Sequence, residues 1–361
     1  MKKLFSFVLA LVLVLSLAGC SGGAPASSST TLPPASPAPE SPSSQPESLP
    51  DAVSAPTALE KTGKTLRVAA LKGPTAMGMV KLMEEAAAGN TANGYEFTLA
   101  GSPDEIVGSI IQGEFDVAAV PTNFAAPLYN KTQGKVQLLA LNPLGVLYVV
   151  EAGDTIQSIG DLAGKTVYST GKGSTPEYAL NYILAENGLT NQVAVEYKTE
   201  HAELAALLSQ GQADVALLPQ PFVTSAQMNN DKLRVALDLT KEWDAIQAAQ
   251  GGTSALVTGV VIARREFIQE HPEEITAFLD AYLESSGFVE TNLSDCAALV
   301  EKYGIVAKAA VAEKAIPGCN ITFLEGAEMK EKVSGYLNVL FEQNPESVGG
   351  ALPNDDFYFS R

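Results

Sequence analysis

The sequence has few of the residues that carry most metal and acid–base chemistry. Two histidines, His201 and His271, and three cysteines occur in 361 residues, which excludes a histidine-rich metal site. Positive charge is scarce: 23 Lys and Arg stand against 41 Asp and Glu, for a net charge of −18. A broad nucleic-acid surface needs clustered cations to displace counterions, so it is excluded. Attachment to anionic lipid by charge alone is excluded for the same reason. The N-terminal apolar run, Leu4–Leu17, falls short of the ~20 residues that span a bilayer. What the chain does have is 46% hydrophobic residues, enough to bury a large core. At roughly 100–200 residues per domain, its length allows two units or one large α/β body.

Lys2 and Lys3, the short apolar run and the small residues after it describe an export signal over residues 1–19. The junction Leu17-Ala18-Gly19-Cys20 resembles the bacterial lipobox, in which cleavage precedes the cysteine and its thiol is acylated. Two or more acyl chains anchor stably where one does not. Residues 21–62 hold nine of the 21 prolines, a composition that cannot pack and reads as a spacer. The expectation is a surface-tethered, extracytoplasmic lipoprotein with a linker over 20–62.

From Leu66 onward short β-branched runs alternate with helical patterns, which predicts parallel sheets covered by helices. After about residue 264 only helices are predicted, over 272–289, 294–303, 308–315 and 326–341. The body also echoes itself. Gln112-Gly113-Glu114-Phe115-Asp116-Val117-Ala118-Ala119-Val120-Pro121-Thr122-Asn123-Phe124 returns as Gln210-Gly211-Gln212-Ala213-Asp214-Val215-Ala216-Leu217-Leu218-Pro219-Gln220-Pro221-Phe222. Upstream, Lys72-Gly73-Pro74-Thr75 returns as Lys172-Gly173-Ser174-Thr175. Each copy follows a predicted strand and opens a predicted helix.

These units, with Leu162-Ala163-Gly164-Lys165-Thr166-Val167 and the return run Thr258–Phe267, resemble the type II solute-binding proteins of ABC importers, in their nitrate/sulfonate/thiamine-precursor branch. The resemblance covers roughly residues 65 to 345. It implies an α/β fold of two lobes, each a mostly parallel sheet covered by helices, with two crossing segments near 142–151 and 254–262. Lobe 1 would comprise 63–147 and 259–361, and lobe 2 148–258. It also implies a small-molecule ligand in the cleft, an ABC permease with its ATPase as partners, a monomer, no cofactor and no enzymatic activity.

Ligands of open α/β sheets sit beyond the carboxyl ends of the strands, and helix N-termini attract acceptor-rich groups. The candidate contacts are therefore Lys72, Gly73, Pro74 and Thr75 on one wall and Lys172, Gly173, Ser174 and Thr175 on the other. Pro121, Thr122, Asn123, Pro219 and Gln220 follow two further strands, while Asn142 and Thr258 sit at the crossings. Ser174 or Thr175, and Thr75, are the expected helix caps, and Ser174-Thr175-Pro176-Glu177 also reads as a self-satisfied capping box. Phe124 and Phe222 read first as core anchors and second as surfaces for ligand stacking, Asp116 and Asp214 as turn carboxylates, and His201, which opens a helix and could face the cleft, first as a capped surface residue.

Catalytic motifs are weak. Gly171-x-Gly173 runs into Pro176 where a dinucleotide fingerprint needs Gly or Ala, and Gly164-Lys165-Thr166 lacks the first P-loop glycine. Cys296 and Cys319, in an exported chain, read as one disulfide or as two buried thiols, the bridge being the expectation. A thiamine-precursor-synthase-like enzyme of the same fold and a ligand-sensing module for a membrane receptor are the competing functions.

Overall fold

The computed structural model describes residues 60–361. Signal, lipidation and linker expectations at 1–19, Cys20 and 21–59 lie outside the described residues. The chain runs β1 (Thr65–Leu71), α1 (Pro74–Met77), α2 (Val80–Ala87), β2 (Gly94–Ala100), α3 (Asp104–Gln112), β3 (Val117–Pro121), α4 (Thr122–Lys131) and β4 (Val136–Leu141). It crosses to β5 (Leu147–Ala152), β6 (Thr166–Ser169), α5 (Thr175–Glu186), β7 (Ala194–Tyr197), α6 (His201–Ser209), β8 (Val215–Pro219), α7 (Phe222–Asn229), β9 (Leu233–Asp238) and α8 (Leu239–Gln250). It returns through β10 (Gly259–Arg264) to α9 (Arg265–Glu270), α10 (Pro272–Thr291), α11 (Leu293–Lys302), α12 (Ala309–Ala315) and α13 (Gly326–Gln343).

Two five-stranded sheets result, ordered β2-β1-β3-β10-β4 and β7-β6-β8-β5-β9. Sequence echo and topology agree: β3 and β8, which carry the repeated Asp-Val-Ala-x-x-Pro stretch, occupy the same central place. In each sheet the strand arriving from the other sheet is the antiparallel one, β10 against β3 and β4, β5 against β8 and β9. The pairing even repeats in register, with Gly259 opposite Pro121 and Leu147 opposite Pro219.

The two crossings lie back to back. Asn142 N–H donates to Gly259 O at 3.1 Å, Gly259 N–H donates to Pro143 O at 3.1 Å, and Leu144 bridges Val257. A Cβ on Gly259 would stand 2.6 Å from Pro143 Cδ and 2.7 Å from Asn142 O, so only glycine lets the strands approach this closely. The sequence pattern over 74–88 reads as one helix, but the structure splits it into α1 and α2. At the break a Cβ on Gly78 would fall 2.3 Å from Asn142 Nδ2, so the chain bends where the crossing's side chain presses in.

One continuous apolar core joins the facing sides of both sheets and takes in α13, through residues such as Val120, Leu138, Val149, Leu217 and Leu337. Two further cores cover the outer faces, beneath α10–α12 on the first sheet and beneath α6 and α7 on the second. The C-terminal tail docks on the body: Phe357 is fully buried against Tyr129, and Phe359 N–H donates to Leu138 O on the edge of β4.

The expected disulfide is not formed. Cys296 and Cys319 are both buried free thiols in the core under α10–α12. Cys319 Sγ instead donates to Ala315 O at 3.3 Å, which makes these residues the small buried hydrophobes of the alternative reading. Burial pushes the Cys296 thiol up to about 12, so it stays protonated.

Candidate functional site

Between the two sheets, at the carboxyl ends of β1, β3, β6 and β8, lies a cleft of about 610 Å³. Its first wall carries Lys72, Gly73, Pro74 and Thr75 after β1, and Pro121, Asn123 and Phe124 where β3 turns into α4. The opposite wall carries Gly171, Ser174, Thr175 and Pro176 entering α5, Glu200 and His201 entering α6, and Pro219, Gln220 and Phe222 entering α7. Thr258 closes the back, where its hydroxyl donates to Leu144 O. The echoed turns at 73 and 174 therefore line one cavity from its two sides.

The structure does not bring every candidate there. Asn142 is fully buried: its Nδ2 is tied to Tyr282 Oη, and its Oδ1 accepts from Thr322 N–H at 3.1 Å. Thr122 points away into the protein, fully buried, with its N–H bonded to Thr258 O. Lys172 and Gly173 are exposed and do not line the cleft; the Lys172 ammonium stands 5.8 Å over the Tyr197 ring. The left-handed Gly173, with φ of 76°, turns the loop outward just before the helix begins.

The expected caps also differ. Thr75 Oγ1 donates back to Leu71 O at 2.8 Å, and Ser174 Oγ donates to Gly171 O at 2.7 Å. Glu177 reaches past Ser174 to accept from Gly173 N–H. The N-terminus of α5 is thus left without a side-chain cap, as are those of α4, whose N-cap is Pro121, and of α6, whose N-cap is Glu200, and all three reach the cleft. Each presents the positive end of a helix dipole, but in α4 the first amide, Thr122 N–H, is spent on Thr258 O and in α5 the second residue, Pro176, has none, so the remaining first-turn amides are the donors on offer.

Phe124, Phe222 and His201 stand on the cleft, where the sequence favoured a core or surface place for each. Phe124 and Phe222, equivalent positions of the echo, line the cavity from opposite walls. His201 does so too, with its ring 5.1 Å from that of Phe222. Burial holds the His201 imidazole below its ordinary value, and Glu200 only partly offsets this. The rule that pointed to residues after β1, β3, β6 and β8 also applies after β7, which is the signal that would have found His201.

Asp116 is no simple turn carboxylate. It is buried far from the cleft and accepts from Arg67 Nη2 at 2.7 Å and Arg264 Nη2 at 3.0 Å. Its counterpart Asp214 is exposed. Trp243 is fully buried between Tyr182 and Tyr336, away from the cavity. A second groove, about 930 Å³, opens at the other end of the first sheet beside the C-terminal ends of α3 and α4. Its lining combines the acceptors of those helix ends with the cations Lys135, Arg264 and Arg265, of which Arg264 is paired with Asp116 and Glu266 and Arg265 with Asp356.

Comparison with known proteins now bears on this geometry. Residues 134–292 match the NMT1/THI5-like family model. A crystal structure of an ABC transporter protein from Parabacteroides distasonis superposes with a TM-score of 0.70 at 25% identity, covering 82% of this chain and 99% of that one. The two helix-covered sheets have the fold of periplasmic solute-binding proteins. The periplasmic aliphatic sulphonate-binding protein SsuA of Escherichia coli shares this binding-protein fold, with a TM-score of 0.64 at 18% identity over 83% of this chain and 93% of its own. The periplasmic nitrate-binding protein NrtA of Synechocystis PCC 6803 shares it too, with a TM-score of 0.53 at 14% identity over 82% and 84%. No curated protein matches the chain by sequence.

Proposed function

We propose that this chain is the extracytoplasmic receptor of an ABC importer, anchored through an acylated Cys20, and that it binds a small organic anion between its lobes. The observation that carries the reading is the donor character of the cleft. The uncapped ends of α4, α5 and α6 converge on it. Asn123 Oδ1 is occupied by the Thr175 hydroxyl at 3.0 Å, which leaves its amide Nδ2 to donate. Among the lining residues only Lys72, Glu200 and His201 titrate. Most of the remaining wall is Pro, Phe, Val, Leu and Ile, which suits an apolar body carrying one acidic head.

The sulphonate- and nitrate-binding relatives of the same fold support an anion, and the apolar lining favours a sulfonate or carboxylate over nitrate. Closure would follow from ligand bridging the walls, because only contacts made in the closed form shift the population. A monomeric receptor would then present the closed lobes to its permease and ATPase.

Titration calorimetry against alkyl and aryl sulfonates, carboxylates, nitrate and thiamine-precursor pyrimidines tests this. One-to-one binding of a sulfonate or carboxylate, weakened by Asn123→Ala, is expected. Binding of an uncharged pyrimidine alone would replace the anion reading.

A further inference from the structure

His201 is the first residue of α6, and its side chain lies between a buried hydroxyl and the cavity. Thr170 Oγ1 stands 2.5 Å from His201 Nδ1, and Thr170 is 1% exposed. A buried hydroxyl proton must find an acceptor. Among the described residues the only partner of Thr170 Oγ1 is Nδ1, whereas the neighbouring Ser169 hydroxyl spends its proton on Thr170 O. If Nδ1 carried the imidazole proton, the threonine O–H would be left buried and unpaired. The arrangement that satisfies both groups has Thr170 donating to a bare Nδ1, which puts the single ring proton on Nε2. Nε2 has no partner among the described residues, and the ring borders the cleft.

We propose that Thr170 fixes His201 as the Nε2–H tautomer, making it a neutral hydrogen-bond donor that receives an acceptor oxygen of the ligand opposite Asn123. The assignment rests on the organic-anion reading for its ligand but not for its tautomer. A second proton is disfavoured from three sides. It would have to sit on Nδ1 against the Thr170 O–H, the half-buried ring packs against Phe222, and the positive end of α6 lies beneath it. The charge that opposes this from the same helix end is Glu200, with Glu203 in the same first turn; the residue after β6 and the start of α7 bring Thr170 and Phe222, neither charged. His201 thus binds by geometry rather than by charge, and Thr170 is a positioning residue.

Nitrogen-15 NMR of the imidazoles tests this in the ligand-free protein, with His271→Gln leaving a single histidine to observe. A protonated Nε2 and an unprotonated Nδ1, unchanged from pH 8 to pH 6, are expected. Thr170→Ser should keep that pattern, while Thr170→Val should let both tautomers exchange. A proton on Nδ1, an imidazolium at neutral pH, or no effect of Thr170→Val would overturn the tautomer assignment. Methanesulfonate and benzoate are then added. Movement of the Nε2–H proton together with the first-turn amides of α5 and α6 is the expected result. Movement of those amides with Nε2–H unchanged overturns the donor role. If no amide in the cleft moves while the tautomer stands as described, the anion reading fails and the tautomer assignment survives.

Discussion

The contact that ties the two walls together without any ligand gives the sharpest prediction. Thr175 Oγ1, on the second lobe, donates to Asn123 Oδ1 on the first at 3.0 Å and accepts from the fully buried Tyr336 Oη at 3.1 Å. A net contribution of about 0.5–1.5 kcal/mol is usual for such a hydrogen bond, and an orphaned buried donor costs about 1–3 kcal/mol. Thr175→Val keeps the shape but removes both bonds and strands the Tyr336 hydroxyl, so a loss of roughly 2–4 kcal/mol is expected by the same reckoning. Asn123→Ala removes only the bond across the cleft, for about 1 kcal/mol. The double variant should then show a coupling energy near 1 kcal/mol, since the shared bond is lost only once. Denaturant unfolding followed by Trp243 fluorescence measures this directly, because that ring is 5.5 Å from Tyr336. The same contact favours the closed form, so about 1 kcal/mol translates into roughly fivefold weaker apparent ligand affinity. A coupling energy indistinguishable from zero would show that the walls do not touch in the free protein, and the closure argument would fall.

Four other perturbations have defined outcomes. Asp116→Ala should cost about 2–4 kcal/mol in unfolding experiments, less than a fully buried pair because Arg67 and Arg264 retain some solvent. Burial alone would raise the Asp116 carboxyl, but hydrogen bonds from Arg67 and Arg264 outweigh it and hold the group low. Its stabilisation is thus present above its unfolded pKa near 3.9 and lost as pH falls through the native value, so Asp116→Asn should flatten the acid limb of a stability profile below about pH 4. His201 has the same sign of linkage in a higher pH range: a base held neutral binds fewer protons folded than unfolded, so stability falls as pH drops below about 6.5, and His201→Gln should remove that loss in urea titrations. Thiol counting should find Cys296 and Cys319 unreactive in the folded protein at pH 8 and both titratable on unfolding, with no change in Tm under reductant. Gly259→Ala should lower stability by at least about 1–3 kcal/mol through overpacking, read as a fall in Tm, since backbone on the facing crossing leaves no room.

Much of the architecture was legible because it repeats. The echoed stretches ending at Phe124 and Phe222 located β3 and β8, their following helices and thus both walls, and strand burial made the hydrophobic runs unambiguous. Less legible was anything set by approach between distant segments. Asn142 reads as a polar hinge residue, yet its partners Tyr282 and Thr322 come from the C-terminal helical region and pull it inward. Lys172 matches Lys72 in sequence, but the helix after Lys72 begins at Pro74 whereas the one after Lys172 begins a residue later, at Thr175, so the echo does not carry the side chain's place with it. Phe124 and Phe222 looked like core residues because hydrophobicity does not distinguish a core from an apolar binding wall. His201 carried no local motif; its place follows from where β7 ends.

A crystal structure of the protein with a bound sulfonate or carboxylate tests the central claim most directly. The account predicts the acidic head within hydrogen-bonding distance of the first-turn amides of α5 or α6 and of Asn123 Nδ2, with the apolar body against Phe124 and Phe222. An anion found instead in the groove beside Lys135 and Arg265, with the space between the walls left to water, would contradict it.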